Sequence, residues 1–299
     1  MFIRKIFSSF VMANSMKKTL KDFGYAFNKE GKLRQIDPNS NEITDVPFQF
    51  EISSSRSKNQ ENYEALGEVI NEYVYELLEQ NNMHRLYFPE NTPKEKASFV
   101  FSTFSDLEKQ IDKLMIIVHG SGVVRAGQWA RSLIINDSLD KGTVLPYIKR
   151  AREYGYEVIV TNTNDKKIGG RNPEEHAQNV WNLFTSKSKH IAIVAHSYGG
   201  VVVTDLAEKF KKDFDEKVFA VAFTDSVHGS RSVSSRLIDI GVNFVSSDAP
   251  LNEKLQSYND IERRSAGTPK HELTSYQCME KLFEFILQKE KDINKKSEL

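Results

Sequence analysis

Cysteine is almost missing. Cys278 stands alone among 299 residues, so no intrachain disulfide can staple the fold, which suits a reducing compartment. Net charge is missing too: Lys and Arg number 41, and so do Asp and Glu. Without an overall field, holding a polyanion would need a local basic patch. The body of the chain has none, so direct nucleic-acid binding is not expected. No apolar run approaches the ~20 residues of a membrane-spanning helix, and there is no internal repeat or low-complexity tract. His119 and His196 have no further ligand at metal-binding spacing. They read as pocket lining, and neither metal nor cofactor is expected. What is present is 39% hydrophobic and 27% charged residues, the balance of a globular chain long enough for one large core.

Both ends carry short segments that resemble addresses. Arg4 and Lys5 precede Ile6–Ala13, an apolar stretch broken by Ser8 and Ser9, and residues 1–20 read as a targeting segment or a tail. Residues 291–299 read as a second tail. Its end, Lys296-Ser297-Glu298-Leu299, resembles an endoplasmic-reticulum retention signal, which acts only on a chain that enters the secretory route. Residues 21–290 between them read as a single domain.

That domain opens with a β-hairpin, Tyr25–Phe27 and Leu33–Ile36 around Gly31, and a short edge at Pro47–Phe50. Ser53 to Asn59 reads as a polar, mobile link. Leu66, Ile70, Tyr73, Val74 and Leu77 then recur at helical spacing, giving a long amphipathic helix over 61–81. Afterwards strand-like runs (98–101, 114–118, 157–161, 191–194, 218–223, 242–245) alternate with helical ones (127–135, 144–154, 173–184, 200–210, 232–238), closed by a helix over 273–289. This alternation predicts an α/β fold: a mostly parallel sheet with helices on both faces.

The chemistry concentrates at Ser197. It follows the apolar run Ile191–Val194 and precedes Gly199-Gly200-Val201. A nucleophile elbow needs that context, a strained strand-to-helix turn with small residues two before and two after the serine. Ala195 and Gly199 supply them, and the helix start behind Ser197 aims N–H groups at the site. The spacing therefore predicts an α/β-hydrolase-like fold with Ser197 as nucleophile. Upstream, the strand ending at Val118 runs into His119-Gly120-Ser121-Gly122. Backbone N–H groups of Gly120, Ser121 and Gly122, with that of Tyr198, are the expected oxyanion donors. Arg125, near this loop, is a candidate for meeting an anionic substrate group. In this fold the acid and then the histidine follow the serine. His271, in the loop before the last helix, is the better base than His228. Asp225 at a strand end is the expected acid, with Asp248 as the alternative.

Several runs together carry a resemblance: His119–Arg131, Asn172-Pro173-Glu174-Glu175-His176-Ala177, Ala195–Gly200, Thr224–His228 and Ser265–Ser275. From about Tyr25 to the terminal helix the chain resembles the vertebrate co-transcriptional regulator family bearing the Arb2 (Argonaute-binding) domain. The resemblance implies an α/β-hydrolase-like fold, a presumed serine nucleophile at Ser197 and no defined substrate. It also implies roles in RNA silencing, chromatin and alternative splicing, with Argonaute and chromatin-remodelling proteins as partners. Placement in nucleus and cytoplasm is expected, with the endoplasmic reticulum as the alternative. The family carries a long basic insert before the Pro-Glu-Glu-His-Ala helix. Here Asn162–Arg171 is short, with Lys166, Lys167 and Arg171 as its only cations, so nuclear entry is expected to ride on a partner. Three functions follow: a regulator with a serine-hydrolase site for a small ester or acyl substrate, an idle interaction scaffold on the same fold, or a hydrolase resident in the endoplasmic reticulum.

Overall fold

The computed structural model describes residues 18–228, 233–258 and 260–297. The Ile6–Ala13 stretch and the last two residues of the retention-like tetrapeptide lie outside them. A small antiparallel sheet comes first, with β1 (Tyr25–Phe27), β2 (Leu33–Ile36) and β3 (Ile43–Pro47). The expected edge at 47–50 is thus displaced to 43–47, and the hairpin gains a third strand. Ahead of β1, Thr19 and Asp22 form a capping box and Leu20 is buried.

Helix α1 (Arg56–Gln80) starts five residues earlier than its apolar periodicity shows. The cause is polar. Ser55 caps the Lys58 N–H, and buried Asn59 accepts from the Ser53 N–H (2.9 Å) and donates to the Ser53 carbonyl (3.0 Å). The link expected to be mobile is therefore tied to the first helical turn.

The main body continues with β4 (His84–Phe88), β5 (Ser98–Ser102), β6 (Ile111–Val118), α2 (Arg131–Asn136), α3 (Leu139–Gly142), α4 (Leu145–Glu153), β7 (Glu157–Val160) and α5 (Pro173–Phe184). Then come β8 (Ser188–His196), α6 (Gly199–Lys209), α7 (Lys211–Lys217), β9 (Val218–Thr224), α8 (Ser235–Ile240), β10 (Gly241–Val245), β11 (Lys254–Leu255), β12 (Glu262–Ser265) and α9 (Thr274–Ser297). The segment read as a tail from 291 continues α9 as far as Ser297.

These strands form one nine-stranded sheet ordered β11-β12-β10-β9-β8-β6-β7-β5-β4. β6 to β10 and β12 run parallel; β4, β5 and β11 are antiparallel to their neighbours. Alternation along each central strand divides the core. Met115, Ile117, Ala192, Val194, Ala220 and Ala222 face one side, where Leu66 and Ile70 of α1 and Leu282 and Phe283 of α9 pack. Leu114, Ile116, Ile191, Ile193, Val221 and Phe223 face the other, against Val180 and Trp181 of α5 and Val203 and Leu206 of α6. Both layers are buried, which explains the near-continuous apolar runs of the central strands.

Candidate active site

Strand β6 lies between β7 and β8. The connection leaving β6 therefore goes to one side and the connection leaving β8 to the other, which opens a crevice at their carboxyl ends. Gly120 follows β6 and Ser197 follows β8, and they meet across it. A Cβ built on Gly120 would lie 3.0 Å from Ser197 Cβ and 3.5 Å from its Oγ.

Ser197 has φ 53°, a left-handed conformation that costs a residue with a Cβ about 1–2 kcal/mol. Its backbone is held by three hydrogen bonds: its N–H to the Thr224 carbonyl (3.1 Å), and its carbonyl from the N–H groups of Gly200 (3.1 Å) and Val227 (3.2 Å). Crowding explains the small residues around it. A Cβ on Gly199 would come within 2.9 Å of the Val118 carbonyl oxygen, and one on Gly200 within 2.9 Å of Ser226 Cβ. Helix α6 starts at once, so the N–H groups around Tyr198 have no carbonyl a turn earlier to bond.

Asp225 ends the neighbouring strand β9, also with positive φ, 45°. Its Oδ1 accepts from the Ser246 N–H (3.0 Å), and its Oδ2 lies 2.7 Å from His271 Nδ1. A carboxylate can only accept, so Nδ1 carries the proton and Nε2 keeps its lone pair. Partial burial opposes ionisation of Asp225, but the hydrogen bonds from His271 and Ser246 outweigh it and hold the carboxyl at about 2. The same bond raises the His271 pKa, with partial burial working against it. Ser197, Asp225 and His271 line one cavity of about 390 Å³, together with His228, Asn243 and Arg263. Asp248 is not on its wall. Its loop contributes the Ser246 N–H instead. His228 lines the cavity without joining the Asp225 pair, its ring against Phe223 at 4.8 Å between centroids.

Under His271 lies His196, ring centroids 4.7 Å apart. Burial, then the neighbouring His271, lowers the His196 pKa to about 4. A neutral ring therefore supports the one that can titrate. His196 Nδ1 faces the Thr224 carbonyl (2.8 Å), and Thr224 Oγ1 meets Ser275 Oγ of α9 (2.7 Å).

The loop after β6 is fastened through its carbonyls. The Asn164 side-chain amide donates to the carbonyls of Gly120 (2.9 Å) and Val124 (3.0 Å), and His119 Nδ1 lies 2.8 Å from the Gly120 carbonyl. Arg125 reaches the carbonyls of Val123 and Val124, both at 3.1 Å. Both bonds come from Nη1, and Arg125 is not among the residues lining the Ser197 cavity, where its sequence position had suggested contact with an anionic substrate group. Asn162 Oδ1 accepts from the Ala126 N–H (2.9 Å), and the Asn162 N–H donates to Nε2 of buried His176 (3.0 Å), whose Nδ1 meets Ser98 Oγ (2.9 Å). Asn162, Asn164 and His176 escaped the sequence reading. The available signal was the polar run Thr161-Asn162-Thr163-Asn164 directly after a buried strand, where buried backbone groups need partners.

The model of the Arb2 domain matches residues 16–168 and 165–247. The chain belongs to the Arb2 domain family. Among curated relatives of this Arb2 protein, the "Cotranscriptional regulator ARB2A homolog" of Xenopus tropicalis is 37% identical over 90% of this chain and 79% of its own. The human "Cotranscriptional regulator ARB2A" is 36% identical over 90% and 80%. The family reaches beyond vertebrates: the Dictyostelium discoideum homologue is 32% identical over 90% and 80%. The two matched stretches meet in the Asn162–Arg171 loop, and His271 lies beyond the second. Solved structures similar in part include the epoxide hydrolase CorEH (14% identity, 51% of this chain and 46% of that one, TM-score 0.32) and naproxen esterase from Bacillus subtilis (11%, 52% and 49%, 0.29). At those scores they add nothing to the fold, which rests on strand order and direction.

Proposed function

We propose that this Arb2 protein is a serine hydrolase acting on a small ester or acyl group, within the co-transcriptional regulation for which its relatives are named. The observation that carries the reading is the Asp225–His271 hydrogen bond, 2.7 Å, on the wall of the cavity that also holds the strained Ser197. In this mechanism Ser197 Oγ attacks the substrate carbonyl carbon as His271 Nε2 takes its proton. Asp225 holds the ring in the required tautomer and stabilises the imidazolium. Backbone N–H groups of Ser121 and Tyr198 receive the oxyanion. His271 then protonates the leaving alcohol, and water repeats the sequence on the acyl-enzyme to release the acid and restore Ser197. Argonaute and chromatin-remodelling proteins are the partners we propose from the family resemblance, on surfaces away from this cavity.

A fluorophosphonate probe tests the chemistry. Wild type is expected to be labelled at Ser197, and Ser197→Ala, equally folded by circular dichroism, is expected to stay unlabelled. A folded wild type that resists the probe refutes the hydrolase and leaves the scaffold reading.

A further inference from the structure

We infer that Asn164, with His119, is the positioning device of the oxyanion site: it locks the Gly120–Ser121 peptide so that its N–H, not its carbonyl, faces Ser197. The inference rests on the hydrolase reading and deepens it.

A trans peptide points its carbonyl and its N–H in opposite directions. The Gly120 carbonyl accepts from Asn164 Nδ2 (2.9 Å) and faces His119 Nδ1 (2.8 Å). The Ser121 N–H of the same peptide therefore points away from both. Gly120 is packed on Ser197, since a Cβ added to it would lie 3.0 Å from Ser197 Cβ and 3.5 Å from its Oγ. Rotating this peptide by half a turn would break both carbonyl contacts. It would also set a carbonyl oxygen where negative charge develops, turning stabilisation into repulsion.

The lock has its own foundation. Asn164 is buried, and the same amide also holds the Val124 carbonyl (3.0 Å), so it spans the loop from Gly120 to Val124. Two residues earlier, Asn162 is pinned to the Ala126 N–H and, through its own N–H, to His176 Nε2. Burial lowers the His119 pKa to about 4, so at neutral pH its ring is uncharged and offers Nδ1–H to the Gly120 carbonyl. Glycine at 122, with φ 105°, lets the loop turn back so that the Val123 and Val124 carbonyls meet Arg125. The carbonyls of Gly120, Val123 and Val124 are thus each held by a side chain.

The test begins with wild-type protein phosphonylated at Ser197, whose P–O oxygen imitates the oxyanion. In ¹⁵N NMR the Ser121 amide is expected to shift downfield on phosphonylation, and an unmoved Ser121 amide overturns the inference while leaving Ser197 reactive. Asn164→Ala removes the amide donor, and Asn164→Asp keeps its shape but offers only acceptors. With an ester substrate of wild type, kcat is expected to fall about 10²-fold in both, the loss typical of an oxyanion donor. KM stays within about twofold, and the midpoint of the pH–rate profile, set by the untouched Asp225–His271 pair, does not move. If KM and melting temperature worsen together and kcat follows them, Asn164 is only structural and the inference fails. If wild type is never labelled, the hydrolase reading itself falls and this inference falls with it, a result recognisable before any Asn164 variant is made.

Discussion

Replacing Asp225 by Asn changes one heavy atom and separates two roles. The variant keeps an oxygen for the Ser246 N–H, so the turn after β9 retains its anchor. Its amide NH₂ then faces His271 Nδ1 and, being a donor, favours the tautomer whose proton sits on Nε2. That ring cannot take the proton of Ser197. In a serine-protease triad this change costs about 10⁴ in kcat, and a loss of that order is expected here. The stability cost is small by comparison. The fall of the Asp225 carboxyl from 3.8 to about 2 is the net of burial and of the His271 and Ser246 hydrogen bonds, and at 1.36 kcal/mol per unit it corresponds to about 2 kcal/mol before screening. The His271 side chain is 49% exposed, and screening reduces the pair to about 1 kcal/mol, counted once for both partners.

The pH dependence has two limbs. The depressed Asp225 contributes above its ordinary pKa of 3.8 and loses its contribution as pH falls through about 2. The raised His271 contributes below its ordinary 6.5 and loses its contribution as pH rises through its higher folded value. The bond is therefore strongest between these two ordinary values, and Asp225→Asn flattens both limbs in urea titrations across pH. Histidine NMR should show the His271 pKa falling in the variant. If Asp248→Asn abolishes turnover while Asp225→Asn retains it, the assignment of the acid is wrong.

Gly200→Ala drives a Cβ into the Val227 carbonyl and the Ser226 side chain, rigid neighbours on the far side of the elbow. An overpacking loss of about 1–3 kcal/mol is expected in denaturant unfolding, and a loss near zero would mean the turn is not tightly packed. The cavity wall carries His228, Asn243, Asp260 and Arg263 beside the site. p-Nitrophenyl acetate should thus be hydrolysed with higher kcat/KM than the dodecanoate; the reverse order would contradict a polar cavity. Fractionation of untagged protein with protease protection is expected to place most of it in cytosol and nucleus. Recovery mainly inside sealed microsomes would instead favour the reticulum hydrolase.

How much of this could be read in advance depended on what each residue does. Central strands and the elbow were legible because burial on both faces makes apolar runs, and because a turn packed on a neighbouring strand tolerates only Ala195 and Gly199. Chain order and strand-end position singled out Ser197, Asp225 and His271, with Asp248 as the alternative acid, and the structure adds the Asp225–His271 hydrogen bond. Strands at or next to the sheet's edges hid their identity. β4 is half exposed, and β12, Glu262-Arg263-Arg264-Ser265, has no apolar residue. Its pairing with β10 comes from the sheet, not from its composition. Residues 127–130 follow a helical pattern, yet the chain there turns, with the Trp129 N–H bonded to the Gly142 carbonyl (2.8 Å), before α2 begins. Asn164 and Asn162 were marked only by their polar run after β7: their partners are backbone carbonyls and N–H groups far along the chain, which no spacing encodes.

The site is also divided unevenly along the chain. Ser197 and Asp225 sit on interior strand ends, whereas His271 arrives on the segment that continues into α9. That helix covers β9 and β10 on one face of the sheet with Cys278, Leu282, Phe283 and Ile286, all buried, and through Ser275 it touches the floor beneath the histidine ring. Shortening the chain before His271 would strip the cover from the core along with the base, so such a protein would lose its fold and its chemistry together. A point substitution at His271, which is exposed at the mouth, would silence the site and leave the body standing. In this architecture a protein that gives up hydrolysis to act only through its surface is expected to do so by exchanging one side chain, never by ending early.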